Sequence, residues 1–257
     1  MSTATLTDHE VVSRDEWLEA RKALLAAEKA HTRQHDELAR RRRELPWVKV
    51  ETNYVFDTPA GPRTLADLFA GRSQLVVYHF MLGPGWPEGC PSCSMAADGF
   101  DATALHLAQR DVTFIAVSRA PLNEIEAFKR RMGWRFTWAS SNRNTFNHDY
   151  RVSFTKDEIE SGEASYNYGS MNFPVSEAPG ASVFYRNADG EVFHTYSAYG
   201  RGLEPLLGVY TLLDVVPKGR DEAGLKHPMA WVRHHDRYEA AKSEQSACGC
   251  GNHKVTA

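Results

Sequence analysis

The chain has 257 residues, 42% hydrophobic and 25% charged, and its 30 basic and 33 acidic side chains leave a net charge of −3. That length suits one good-sized core with extensions, so one domain is expected. The near-neutral balance excludes the strong basic field that recruits nucleic acid or an anionic membrane, and neither is expected as a partner.

Residues 1–17, MSTATLTDHEVVSRDEW, carry Asp8, Glu10, Asp15 and Glu16 and no apolar run. This is unlike a secretory or organellar leader. The longest apolar run, around Gln74–Met81, is too short to span a bilayer. A cytoplasmic protein is expected, and in that compartment a cysteine pair is more often catalytic or metal-binding than a structural staple.

Residues 13–44 read as helix: Ser13 and Glu16 have capping-box spacing, and Trp17, Leu18, Leu24, Leu25 and Leu38 recur at near-heptad intervals. Nine basic and seven acidic residues nearly cancel there. The run Arg40–Arg43 therefore reads as a solvated helix end suited to the helix dipole, which Pro46 stops. Val48, Val50, Tyr54 and Phe56 alternate as in an edge strand, Pro59 and Pro62 turn the chain, and 64–70 reads as a short helix. QLVVYHFM, from residue 74, is an almost unbroken apolar strand that runs into GWPEGCPSCS.

A helix from the cysteines to about Gln109 leads to a second apolar strand at 112–118, which predicts a right-handed crossover between parallel strands. Pro121 opens a helix with Leu122, Ile125, Phe128 and Met132 on one face and Gly133 at its end. RFTWAS adds a short strand. Residues 141–180 show no clear period and read as an inserted lid or binding loop. ASVFYRNADGEVFHTYS predicts a hairpin, LEPLLGVYTLLDVV a helix, and HPMAWVRHHDRYEAAK another, followed by the tail QSACGCGNHKVTA.

The order from residue 75 predicts an α/β chain with a thioredoxin-like fold, a mixed central sheet flanked by helices. Its expected parts are an N-terminal helical extension (1–46), the thioredoxin-like domain (47–216, with the insertion at 141–180) and a C-terminal segment with a cysteine tail (217–257). In such a sheet, ligands bind beyond the carboxyl ends of the parallel strands.

Cys90 and Cys93 stand at that edge. Pro91 is favoured at the first helical position, which makes Cys90 the N-cap facing the N–H groups of Ser92 and Cys93. A thiolate there gains from those donors and the helix dipole, so Cys90 is the expected nucleophile. Cys93, one turn on and more buried, suits the resolving role. The alternative is a zinc site shared by Cys90, Cys93, Cys248 and Cys250, but Cys-x-Cys spacing fits zinc poorly. The tail thiols could equally exchange with the central pair, bind soft metal ions in transit, or do neither.

Ser118 and Arg119 end the second parallel strand, where Arg119 would stabilise a thiolate or hold an anionic substrate. Trp86 would wall a substrate groove. His148, Asp149 and Tyr150 could supply a proton donor or a cap. No phosphate loop, G-x-S-x-G, H-E-x-x-H or G-x-G-x-x-G motif occurs. His234 and His235, adjacent on the expected helix, point in different directions and make a poor metal pair.

FHTYSAYGRGLEPLLGVYTLLDVVPKGRDE, VTFIAVSRAPLNEIEAFKRRMGW and GWPEGCPSCS together resemble a bacterial family of unknown function described as predicted dithiol-disulfide oxidoreductases with a thioredoxin-like fold. The resemblance covers residues 12–240. More distantly, FDTPAGPRTLADLFAGRSQLVVYHF is similar to the opening of peroxiredoxins, in which a threonine stands three residues before the peroxidatic cysteine; here that position is Pro87. Cys-Pro-x-Cys is instead similar to the glutaredoxin and periplasmic oxidase motifs. The cis-proline of thioredoxins has only Pro179 as a candidate, a residue or two early. The resemblance implies a thiol-disulfide oxidoreductase acting on a protein or small-molecule disulfide or thiol. No cofactor is called for, and homodimer formation stays open. A peroxidase, or a non-enzymatic metal- or partner-binding protein, is the alternative.

Overall fold

The computed structural model describes residues 9–238. Helix α1 (Arg14–Arg43) starts in the expected capping box: the Ser13 hydroxyl accepts the Glu16 N–H, and the Glu16 carboxylate accepts the Ser13 N–H at 2.9 Å. No residue of α1 is buried, and Arg40 pairs with Glu37 and Glu44 at its solvated end.

The single edge strand expected after Pro46 is divided between two sheets. Val48 stays at the rim in β1 (Val48–Lys49), while Tyr54 and Phe56 turn into the core around β2 (Val55–Phe56), which pairs with β3 (Arg63–Thr64). The helix expected over 64–70 shrinks to a 3-10 turn, Asp67–Phe69. The Asp67 carboxylate accepts the Thr64 N–H and hydroxyl, and Ala70, at φ +49°, ends the turn.

β4 (Gln74–His79) and β5 (Val112–Ser118) are parallel, with Gln74 opposite Val112, and α2 (Pro91–Ala108) connects them. α3 (Leu122–Met132) buries Ile125, Phe128 and Met132, and Gly133 ends it in the left-handed conformation that glycine adopts without strain. β6 (Thr137–Ser140) lies parallel to β5.

Residues 141–180, which read from sequence as an inserted lid or binding loop, contain short elements of their own. They fold as α4 (Phe146–Asp149), α5 (Lys156–Ser161) and the hairpin of β7 (Ser165–Tyr166) and β8 (Met171–Asn172). Val152, Phe154, Ala164, Tyr166, Ala178 and Tyr199 form their own small core. Each of these elements is too short for a period to show in sequence.

β9 (Gly180–Arg186) and β10 (Val192–Tyr199) form the expected hairpin, and β9 runs antiparallel to β4. The main sheet has the order β1-β10-β9-β4-β5-β6. Three parallel strands joined through helices, with an antiparallel hairpin added beside β4, make a thioredoxin-like fold. No peptide bond among the described residues is cis, so Pro179 does not supply the thioredoxin cis-proline. None of the described helices is long and apolar enough to cross a membrane.

Two C-terminal expectations change. The helix expected over 203–216 is split into a 3-10 segment, Gly200–Leu206, and α6 (Gly208–Leu213). Pro205 lacks the N–H that a continuous ladder needs, and Leu207 leaves helical geometry at φ −101°, ψ 88°. Residues 227–238 form only turns and the 3-10 turn His235–Arg237, because their side chains anchor on α2 and α3. The remainder of that expected helix lies outside the described residues, as do Cys248, Cys250 and His253.

One face of the sheet packs Tyr78, Phe80, Phe114 and Trp138 against α2 and α3; the other packs Leu75, Val77, Ile115 and Val117 against Phe56 and Phe146. His79 is wholly buried on this second side. Its Nε2 shares a 2.9 Å hydrogen bond with Ser182 Oγ, and its Nδ1 has no partner. Burial, then nearby His194, drives the His79 pKa from 6.5 down to about 3. The unfolded chain therefore takes up this proton at a higher pH than the folded one, and stability is lost as pH falls below about 6.5. Between pH 7 and 5, urea unfolding should show the wild type losing about 2 kcal/mol more than His79→Gln. Equal losses would contradict a buried neutral histidine.

Candidate active site

Cys90 is the N-cap of α2 and Pro91 its first helical residue, as the dipeptide predicts. The Cys90 N–H donates to Met81 O at 3.1 Å, and the Ser94 N–H and hydroxyl both donate to Cys90 O at 2.9 Å. Gly89 passes between two rings: a Cβ there would lie 2.5 Å from Phe80 and 2.7 Å from Phe128, so only glycine lets the loop approach so closely. Backbone and core together fix the direction in which the Cys90 side chain leaves the chain.

Both thiols are free. Cys90 is half-buried and Cys93 is 2% exposed. The neighbouring Cys93 thiol is the main influence lowering the Cys90 pKa, to about 6; the N–H groups of Cys93 and Ser92 and the Ser92 hydroxyl add to it, against burial. No single side-chain cap bond of ordinary geometry closes the helix at Cys90, so these donors act as a local field. Burial, then the Cys90 side chain, pushes the Cys93 thiol well above its ordinary value. The Tyr78 hydroxyl and the Met81 N–H partly offset that rise. The sulfur with the lowered pKa thus stands nearer the surface, and the one with the raised pKa lies beneath it.

Tyr78 is the functional candidate that sequence reasoning missed. It is 4% exposed on β4, and burial followed by the Cys93 charge raises its own pKa. The signal was present: Val76, Tyr78 and Phe80 alternate on the α2 face, and a buried tyrosine hydroxyl needs a partner.

Other expected site residues are placed differently. Ser118 is wholly buried, donating to Phe80 O at 2.7 Å and accepting from Trp138 Nε1 at 3.0 Å. Its hydroxyl is therefore spent on joining strand ends inside the core. Arg119 is committed to Glu177, 2.7 Å away, and to His148 Nε2 at 3.2 Å. Glu177, 1% exposed, also accepts the Ser153 hydroxyl at 2.6 Å, and burial raises its pKa. Arg119 thus neutralises a buried carboxylate of the 141–180 segment, a partner no sequence pattern announced. Asp149 accepts the Tyr54 hydroxyl at 2.7 Å, and Tyr150 packs with His79 and Phe146. Both belong to the sheet face opposite α2, so neither caps the thiols. Trp86 packs partly on the core and walls a groove of about 290 Å³ with Leu82, Pro87 and Phe128.

The C-terminal segment braces the loop before Cys90. His234, 1% exposed, donates from Nε2 to Gly89 O at 2.8 Å and faces Arg131 through Nδ1 at 3.2 Å. Glu88 pairs with Arg131 and Arg237, and Arg131 also pairs with Asp236. His235 bonds Asp98 of α2 at 2.7 Å. The two adjacent histidines serve separate partners. Among the described residues, no group of three or more His, Cys, Asp or Glu converges as a metal site would require.

Several solved structures share features of this architecture. A peroxidoxin, BcpB, from Mycobacterium tuberculosis is 15% identical, covering 67% of this chain and 98% of its own, with a TM-score of 0.43. Peroxiredoxin Q from Xanthomonas campestris is 15% identical, covering 65% and 97%, with a TM-score of 0.44. A Chlorobium tepidum protein described as a thiol:disulfide interchange protein, DsbE, is 13% identical, covering 64% and 97%, with a TM-score of 0.39. Likeness this loose transfers no activity. No curated protein sequence matches the chain. A family profile described as "Bacterial protein of unknown function (DUF899)" matches residues 6–238. With every described residue inside that match, this protein belongs to the bacterial family of unknown function DUF899.

Proposed function

We propose that the protein is a thiol-disulfide oxidoreductase. The observation that carries this is the inequality of its two sulfurs: Cys90, half-buried at a helix N-terminus with a lowered pKa, and Cys93, buried with a raised one. The Cys90 thiolate attacks a substrate disulfide, forming a mixed disulfide and expelling one substrate thiolate. Cys93 then loses its proton and attacks the Cys90 sulfur. The Cys90–Cys93 disulfide closes and the second substrate thiol leaves, with two electrons passed to the substrate. The reverse sequence oxidises a dithiol by the same steps. Tyr78, beside Cys93, is placed to support the anion that forms there.

With dithiothreitol as the electron supply, the wild type should accelerate reduction of insulin or glutathione disulfide. Cys90→Ser should lose at least about 1,000-fold of that rate, as expected when a nucleophile is removed. Equal rates for the two proteins would reject the assignment.

A further inference from the structure

The peptide unit between Gly89 and Cys90 is the last one before the reactive sulfur, and both of its polar ends are held. Its N–H, that of Cys90, donates to Met81 O at 3.1 Å, and its carbonyl, that of Gly89, accepts from His234 Nε2 at 2.8 Å. The first partner is a neighbour at the end of β4. The second arrives from 145 residues further along the chain.

The need for that second partner follows from Gly89. The Phe80 and Phe128 rings leave no room for a Cβ at this position, and a residue without one has the freest backbone of all. Nothing in Gly89 itself then stops the peptide plane from turning. Because Gly89 is buried, its carbonyl would also be left without a partner if the donor were lost, a condition that folded chains avoid.

His234 is firmly placed to be that donor. It is 1% exposed, its ring packs edge-on to Phe128 with centroids 5.3 Å apart, and Arg131 stands 3.2 Å from Nδ1. An arginine only donates, so Nδ1 accepts and the ring proton lies on Nε2, where Gly89 O needs it. Each of the three residues after His234 grips a different element: His235 bonds Asp98 of α2, Asp236 pairs with Arg131 of α3, and Arg237 pairs with Glu88 of the thiol loop. The imidazole is carried on a short strap that is pinned beside the loop it holds.

Resting on the oxidoreductase reading above, we propose that His234 is a positioning residue for Cys90: by holding the Gly89–Cys90 peptide plane, it aims the Cys90 sulfur at the N–H groups that open α2. If the plane turns, the φ of Cys90, −57° at this N-cap, changes with it, and the sulfur drifts from the donors of Ser92 and Cys93. The role is exerted through the backbone, with no proton passed to the sulfur.

The test contrasts two amides in the full chain. In His234→Gln the side-chain N–H reaches the place of Nε2 and still donates to Gly89 O; in His234→Asn the shorter amide reaches only the place of Nδ1. Iodoacetamide alkylation of Cys90 across pH reads the sulfur, with peptide mass assigning the site. The expected result is an alkylation midpoint about one pH unit higher in His234→Asn than in the wild type, and unmoved in His234→Gln. Structural damage alone would lower the melting temperature of both variants and move neither midpoint. A His234→Asn midpoint equal to that of the wild type, or equal shifts in both variants, overturns the proposal. So does a wild-type midpoint at the ordinary thiol value, which leaves nothing for His234 to set. If His234→Asn does not fold, His234→Phe, which keeps a ring against Phe128 but has no donor, replaces it under the same outcomes. Insulin reduction by the wild type is measured alongside: its absence overturns the oxidoreductase reading, whereas its presence with unmoved midpoints overturns only the positioning role.

Discussion

Cys93→Ser should accumulate a mixed disulfide on Cys90 approaching one substrate per chain, while Cys90→Ser accumulates none. The asymmetry follows from where the two sulfurs sit. Cys90 is half-buried at the helix start, whereas Cys93 is 2% exposed and reaches only its neighbour. With the resolving thiol replaced, the first bond forms and nothing within the centre breaks it. Turnover falls by at least about 1,000-fold although attack itself persists. Intact-mass measurement after acid quenching reads the adduct directly. An adduct of equal yield on Cys93 in the Cys90→Ser chain would reverse the assigned roles.

The second large effect is in pH. Alkylation of Cys90 by iodoacetamide should rise with pH below about 6 and level off above it, where an ordinary thiol would still be rising near 8.5. The midpoint carries the test better than the absolute rate, because a less basic thiolate is also a weaker nucleophile. The same shift acts on stability. A depressed folded-state pKa stabilises the reduced fold as pH rises through 6 toward the unfolded value, and that contribution is lost as pH falls through 6. Between pH 6 and 7 it amounts to about 1 kcal/mol, absent in Cys90→Ser. A midpoint that stays near 8.5 would mean that neither Cys93 nor the helix start stabilises the anion.

Much of this was legible in the residues. Pro91 after Cys90 announced the helix start, the apolar runs at 74–79 and 112–118 announced buried parallel strands, and Ser13 with Glu16 announced the first helix. These are local signals, set by propensity, capping and period. What could not be read depends on pairs far apart in the chain. Arg119 looked available because Glu177, 58 residues on, has no pattern that ties it there. Ser118 looked like a strand-end hydroxyl because only the packing of Trp138 shows that it is consumed. Residues 227–238 looked helical because composition cannot reveal that His234 reaches back 145 residues to the Gly89 carbonyl. Tyr78 lies between these cases: strand alternation is enough to group it with Val76 and Phe80, but nothing local places it beside Cys93.

The most direct test of the account is a redox titration of the wild type in glutathione buffers, with free thiols on Cys90 and Cys93 counted by alkylation and peptide mass. The account predicts that both thiols disappear together in one reversible two-electron step that forms the Cys90–Cys93 disulfide. Retention of the Cys93 thiol while Cys90 is oxidised, or the absence of any reversible step, would contradict it.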